Sequence, residues 1–436
     1  MRAARVTVAL CLSLTACTVT GEIEENVATT DAGHTHHRSD AFVDGDAFVD
    51  DPGDPSDPLD AEPYPRDTGT DASPVPPPKT DGAPAVDAPG GVPGAAPELG
   101  SGDHSAASVT YTTIASTGLK TPRDLDFNPR KPDELWIVSA GDDSMTIVQQ
   151  ADKPTRTSER RQDAMSEHFM PKPTGIAFGA DATTFGTPGT FATCGESRNT
   201  HGGTMPADDF MGPTLWSSDL SIFAVADPKG LGSHIDMLHV APLCMGIAHQ
   251  EANVYWTFAG VAQSIIKFDF RRDHGVGNDD HTDGQAFEYA HGALGYVAGI
   301  PSGVEYRTAD GMLYICDTGH ARVVKLDTRA GTVGASLPTG DGSAFHRMDG
   351  TALMDVVPAA SGSLTHPSGI ALKGDLLYVA DDANSRISAF TLAGVRVNWL
   401  ETGLPKGSLG GLAFGPDGKL YFADRVGNRV QRIDAR

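Results

Sequence analysis

The stretch DLLYVADDANSRI runs from Asp375 to Ile387. GMLYICDTGHARV (Gly311 to Val323) and GKLYFADRVGNRV (Gly418 to Val430) repeat its pattern. Each copy alternates strand formers, turns through an Asp and small polar residues, and opens a second alternating run. A shorter motif precedes each: HPSGIAL (366–372), IPSGVEY (300–306) and SLGGLAF (408–414). Searching for the pair finds three more units, headed by KPTGIAF (172–178), CMGIAHQ (244–250) and TPRDLDF (121–127). The six units align Asp124, Gly175, Gly246, Gly303, Gly369 and Gly411. An aromatic follows in register at Trp136, Phe191, Trp256, Tyr314, Tyr378 and Tyr421.

Within a unit, GIAL is a short buried strand. GD (374–375) or PDG (416–418) is hairpin-turn chemistry. LLYVAD and RISAF are the next strands, and LAGVRVNWL (392–400) supplies a fourth. Four antiparallel strands repeated every roughly 40 to 70 residues predict a β-propeller. Six recurrences predict an all-β protein with six blades over 108–436. SVTYTTIAS (108–116) alternates like a strand but has no blade of its own. It is expected to close the ring beside the C-terminal RVQRID, removing an open edge.

The pattern resembles the NHL-repeat family of propellers over residues 121–434. The resemblance is most specific where an Asp, Asn and Arg recur, at Asp381, Asn384 and Arg386 and at Asp424, Asn428 and Arg429. Blades two and three diverge, and blade two carries an insertion from about Gly195 to Leu220. The family fixes a fold more firmly than a function, since its members include enzymes, sensors and binding scaffolds. The recurring Asp and Arg read as architecture: the carboxylate caps a turn and the guanidinium pairs with a carboxylate. More distantly, the chain is similar to the peptidyl-hydroxyglycine amidating lyases, whose channel metal is held by histidines after the entry-motif proline. The matching residues are Thr174, Ser302 and Ser368, with Arg123 and Met245 at two further positions. A hydroxyl is a poor replacement for imidazole on zinc.

The N-terminus has a different character. Arg2 and Arg5 precede an apolar run from Val6 to Leu14, too short to span a bilayer and shaped like an export signal. Leu14-Thr15-Ala16-Cys17 resembles a bacterial lipobox, which implies a signal peptide over 1–17 and lipidation, such as palmitate, at Cys17. Thr18 in place of Asp favours the outer membrane of the cell envelope. Residues 18–107 hold 13 prolines and 19 acidic residues against 3 basic ones. So polar and self-repelling a segment cannot offset a backbone-ordering cost of about 1–2 kcal/mol per residue, and a disordered tether is expected. The remainder, 108–436, carries 28 basic and 38 acidic residues. That sign argues against a nucleic-acid partner.

Candidate chemistry lies where the blades differ. DFRRDHGVGNDDHTDG (269–284) gathers Asp273, Asn278, Asp279, Asp280, Asp283 and His281 among glycines, a composition suited to calcium, although no glutamate closes an EF-hand loop. Histidines cluster in the middle of the domain, and a zinc or copper site composed from two loops is a second expectation. Arg123, His201, His239 and His249 are placed on a ligand-binding face. Cys194, Cys244 and Cys316 leave one disulfide, for which Cys194–Cys244 is the chosen pair; Cys316 reads as a buried small hydrophobe. The functional expectation is an exported, lipid-anchored recognition or scaffold protein binding a protein or small-molecule ligand on its loop face. The alternative is a metal-dependent lyase or hydrolase working in the central channel.

Overall fold

The computed structural model describes residues 91–92, 94–199 and 207–436. Cys17, the proposed signal, the tether up to residue 90, and His201 lie outside the described residues. Each unit read from the sequence is one antiparallel blade, and six blades form the ring. The inner strands are Pro122–Phe127, Pro173–Phe178, Cys244–Glu251, Val304–Arg307, Pro367–Lys373 and Leu409–Phe414. The six in-register aromatics sit on the second strands and are at most 1 % exposed. A lone blade would leave both its faces in water. Here an apolar cluster fills each gap between neighbouring blades, with the sixth gap joining blade six back to blade one. Fully burying each such side chain contributes about 1.5–3 kcal/mol.

The ring closes as the sequence implies. Val109–Ala115 pairs antiparallel with Arg429–Ala435, from Val109 opposite Ala435 to Ala115 opposite Val430. The folded body begins earlier than residue 108, however. Ala96 and Leu99 are buried in the cluster between blades five and six. Glu98 pairs with Lys373 and accepts the Tyr378 hydroxyl at 2.8 Å. The His104 ring stacks on Trp399 at 3.4 Å. The few apolar residues of this stretch are enough, because a preformed blade supplies the surface they cover.

Blade four departs from the simple repeat. Between its third and fourth strands it sends out a hairpin, Thr332–Ser336 and Ala344–Asp349. The second arm pairs in parallel with blade three's outer strand, Gln285–Tyr289, and Arg347 Nε donates to Glu288 at 3.0 Å. Blade three's edge is thereby covered.

The recurring Asp is architectural. Asp381 accepts the backbone N–H groups of Thr365, His366 and Ala383 and the Asn384 amide. Asp424 accepts the Gly427 N–H and the Arg429 guanidinium. The Asp317 carboxylate takes the Gly295 N–H and Arg322.

Candidate functional site

The inner strands converge on the axis, and the glycine column marks the tightest approach. A Cβ on Gly246 would fall 2.1 Å from the Ser302 carbonyl oxygen, and one on Gly369 would fall 2.2 Å from that of Gly410. Blade one breaks this column with Asp124. Two positions on, four blades carry Ala177, Ala248, Ala371 and Ala413, while blade one carries Asp126 and blade four Glu305. These three carboxylates line an axial cavity of about 310 Å³ whose walls are otherwise largely apolar, including Ile176, Ile247, Ile370 and Leu412.

The three are not equivalent. Asp124 accepts the Ile176 N–H at 3.1 Å and Asp126 the Phe178 N–H at 3.2 Å, so both satisfy edge donors of blade two's inner strand. Glu305 belongs to the blade opposite blade one in the ring, and no donor among the described residues faces it. Burial pushes Asp124 up to about 8 and Asp126 up to about 7, against the pull of those N–H groups. Burial, then repulsion from Asp126 and Asp124, pushes Glu305 up to about 8. The native state therefore holds more protons than the unfolded chain between the ordinary carboxylate range and about pH 8. Stability falls as pH rises through that window. Glu305→Gln should raise stability by about 1–3 kcal/mol at pH 8.5 and leave it unchanged near pH 4. Urea unfolding at the two pH values measures this, and an identical pH slope for variant and wild type would refute it.

At the end of the channel where the inner strands begin, charged groups from several blades meet. Arg123 of blade one pairs with Glu196 of blade two at 2.6 Å. Glu196 also accepts the Tyr296 hydroxyl at 2.7 Å and the Gly299 N–H at 2.6 Å. Arg425 of blade six pairs with Asp382 of blade five at 2.6 Å and donates to the Gly299 carbonyl. Gly299 lies on the connection from blade three to blade four yet is held from blades two and six. That connection thus crosses the mouth. Burial alone would raise the Glu196 carboxyl, but the Gly299 N–H and the Arg123 charge hold it below its ordinary value.

The residues singled out in the sequence fare unequally. Thr174 donates to the carbonyls of Cys194 and Cys244, Ser368 to that of Leu409, and Ser302 pairs with the Thr318 hydroxyl. None is a free channel ligand. Arg123 reaches the mouth. His249 lies toward the other end of its inner strand, bonded to the Ala252 carbonyl. His239 follows blade two's outer strand, paired with Asp341 at 3.1 Å. These three do not share one face.

The structure does not bring the six residues of the calcium expectation together. Asp273 is 5 % exposed and taken up by Thr184 of blade two. Asn278 is bonded to Lys229 and the His274 carbonyl. Asp280 accepts Thr282, and Asp279 and Asp283 point outward as exposed residues. Asp273, Asn278 and Asp280 are thus each engaged by donors of the protein itself. His281 also turns inward, where it meets His274 of the same loop and Asp236 of blade two. Burial lowers His234, His239 and His274 below the ordinary histidine value, His234 to about 3.

The sequence reading missed Asp126, Glu305, Glu196, Tyr296, Asp382, Arg425 and Asp236. The first two were visible as departures from an alanine column.

No family model and no curated protein matches the chain. Solved structures of similar shape include a luciferin-regenerating enzyme, at 14 % identity and TM-score 0.45 over 75 % of this chain and 95 % of that one. An auxiliary nutrient binding protein from Bacteroides ovatus matches at 12 % identity and TM-score 0.47, covering 76 % of this chain and 77 % of the other. A virginiamycin B lyase from Staphylococcus aureus matches at 13 % identity and TM-score 0.43, over 75 % of this chain and 99 % of that one.

Proposed function

We propose that the chain is an exported, lipid-anchored recognition protein of the NHL-like kind, binding a small polar molecule or a partner at the loop-rich mouth of its propeller. The observation that carries this reading is the mouth itself. Two guanidinium–carboxylate pairs from four blades are locked around a crossing connection. Such an arrangement presents fixed donors and acceptors, which suits binding. The rival reading, metal-assisted chemistry in the channel, has weaker support. Asp124 and Asp126 are already engaged by blade two, and Glu305 faces them from the opposite wall instead of converging with them.

The test is a thermal-shift panel of amino acids, sugars and short peptides on the full chain. A stabilising compound whose effect is lost in Arg123→Ala, while an exposed control such as Lys120→Ala keeps it, supports the reading. Turnover of the bound compound would overturn it in favour of an enzyme. Anchorage is tested separately: Cys17→Ser should release the protein from membranes or leave it unprocessed. A variant that fractionates and migrates like wild type would remove the lipid anchor from the proposal.

A further inference from the structure

The strongest unexplained cluster lies away from the channel, between the outer strand of blade two and the 270–284 loop of blade three. Asp236 sits on the strand His234–Met237, and His274 and His281 on the loop. One ligand atom from each lies within 4.8 Å of the other two. The side chains are 1 %, 4 % and 10 % exposed respectively. The His281 Nδ1 is 3.1 Å from Asp236 Oδ1, and His274 Nε2 is 4.0 Å from the same oxygen.

His274 supplies the decisive detail. Its Nδ1 faces the Gly275 carbonyl at 2.8 Å, which places the proton on Nδ1 and the lone pair on Nε2. That Nε2 is buried and has no hydrogen-bond partner. A buried lone pair therefore points toward a carboxylate oxygen, acceptor toward acceptor. Such a group is costly to leave unmade, and a cation between the two resolves it. A ligating imidazole whose other nitrogen is fixed by a backbone carbonyl is the usual outer-shell arrangement of a metal histidine.

We infer that Asp236, His274 and His281 form a binding site for one divalent transition-metal ion of the zinc class, clamping blade two to blade three. Two imidazoles and one carboxylate suit zinc and its borderline neighbours far better than calcium, which demands six to eight oxygens. Arms of about 2.0–2.2 Å in a tetrahedron require ligand atoms about 3.3 Å apart. The 3.1 Å separation already fits this, and the 4.0 Å one needs only a small rotation of the His274 ring. The His239 ring lies nearby, its centroid 5.1 Å from that of His281. The two halves of the site come from segments about forty residues apart, so no spacing motif announces it. The ion would hold a loop whose own acidic residues repel one another.

The experiment uses the full chain with His34, His36 and His37 replaced by Ala, because that N-terminal cluster could itself take up zinc. After chelation and dialysis, zinc chloride is added, and bound metal is measured after gel filtration. One zinc per chain and a rise in Tm of a few degrees are expected. His274→Gln should lose the bound zinc and the rise, while His291→Ala, at an exposed imidazole, should keep both. Cobalt added to the unsubstituted site is a second readout that needs no site variant. Intense tetrahedral d–d bands support the site, and a weak octahedral spectrum overturns it. Failure to retain stoichiometric zinc, or equal retention by a folded His274→Gln protein, also overturns it.

Discussion

Deleting residues 1–118 should lower stability by more than about 5 kcal/mol and make the protein aggregate. The deletion removes the strand Val109–Ala115, with Val109 2 % and Ile114 5 % exposed, each contributing about 1.5–3 kcal/mol by burial. It also opens the edge of Arg429–Ala435, which then presents a row of unpaired N–H and C=O groups. The Tyr111 hydroxyl bond to Thr402 and the Thr112 bond to Asp434 are lost as well. Deletion to residue 105 should have an intermediate effect, about 2–5 kcal/mol. It strips Leu99 and Ala96 from the cluster between blades five and six and leaves Lys373 and Tyr378 without Glu98. By composition the deleted stretch reads only as disordered tether, which gives no sign of this loss. For a body of some 330 residues, 1 kcal/mol corresponds to about 1.5 °C in Tm, so the three proteins should melt in clear order. If the shorter deletion melts with the full chain, the packing of Ala96 and Leu99 is wrong. If the longer one does, the ring closure is wrong.

The blades were legible because their information is local. A turn, a period-two run and one aromatic recur within about twenty residues, and each signal is set by backbone conformation and one buried face. Ring closure was legible for a related reason: a strand without a blade needs a partner. The mouth was not, because Arg123, Glu196, Gly299, Asp382 and Arg425 become neighbours only when the ring forms. The arrangement of the 269–284 loop was not legible, because acidic residues and glycines look alike whether they wrap calcium or cap turns. What separates the cases is where the donors are, and Thr184, the donor to Asp273, comes from another blade. The hairpin of blade four left no distinct trace, since its outer arm, Thr332–Ser336, is mostly exposed and carries little apolar pattern. Glu305 was the real omission. Its column reads Ala in four blades, and a carboxylate replacing Ala on an axial inner strand is a chemical event readable without any structure.

Replacing Cys194 and Cys244 together with Ala should cost about 4 kcal/mol. The two are joined by a disulfide across a separation of 50 residues. Closing a loop of that length in the unfolded chain removes entropy equivalent to about 4 kcal/mol at 25 °C in the chain-entropy model. Their surroundings add little to the loss, because Ala nearly fills the space of the thiol and Thr174 still bonds both backbone carbonyls. The bridge ties the second strand of blade two to the start of blade three's inner strand. It therefore encloses the outer half of blade two, including Asp236, His234 and His239. The predicted fall in Tm is about 6 °C. Unfolding the wild type in a reducing agent and refolding it there should produce the same fall, because the bridge is buried in the folded state, and the same treatment should produce none in the double variant. Cys316 provides the internal control: it is a free buried thiol between blades four and five, pushed well above its ordinary value by burial and so unreactive in the folded state. Cys316→Ala should leave the response to reductant intact. Alkylation of both Cys194 and Cys244 when the unreduced wild type is denatured would show that they are not bonded, and the strength holding blade two's insertion to blade three would then have to come from packing alone.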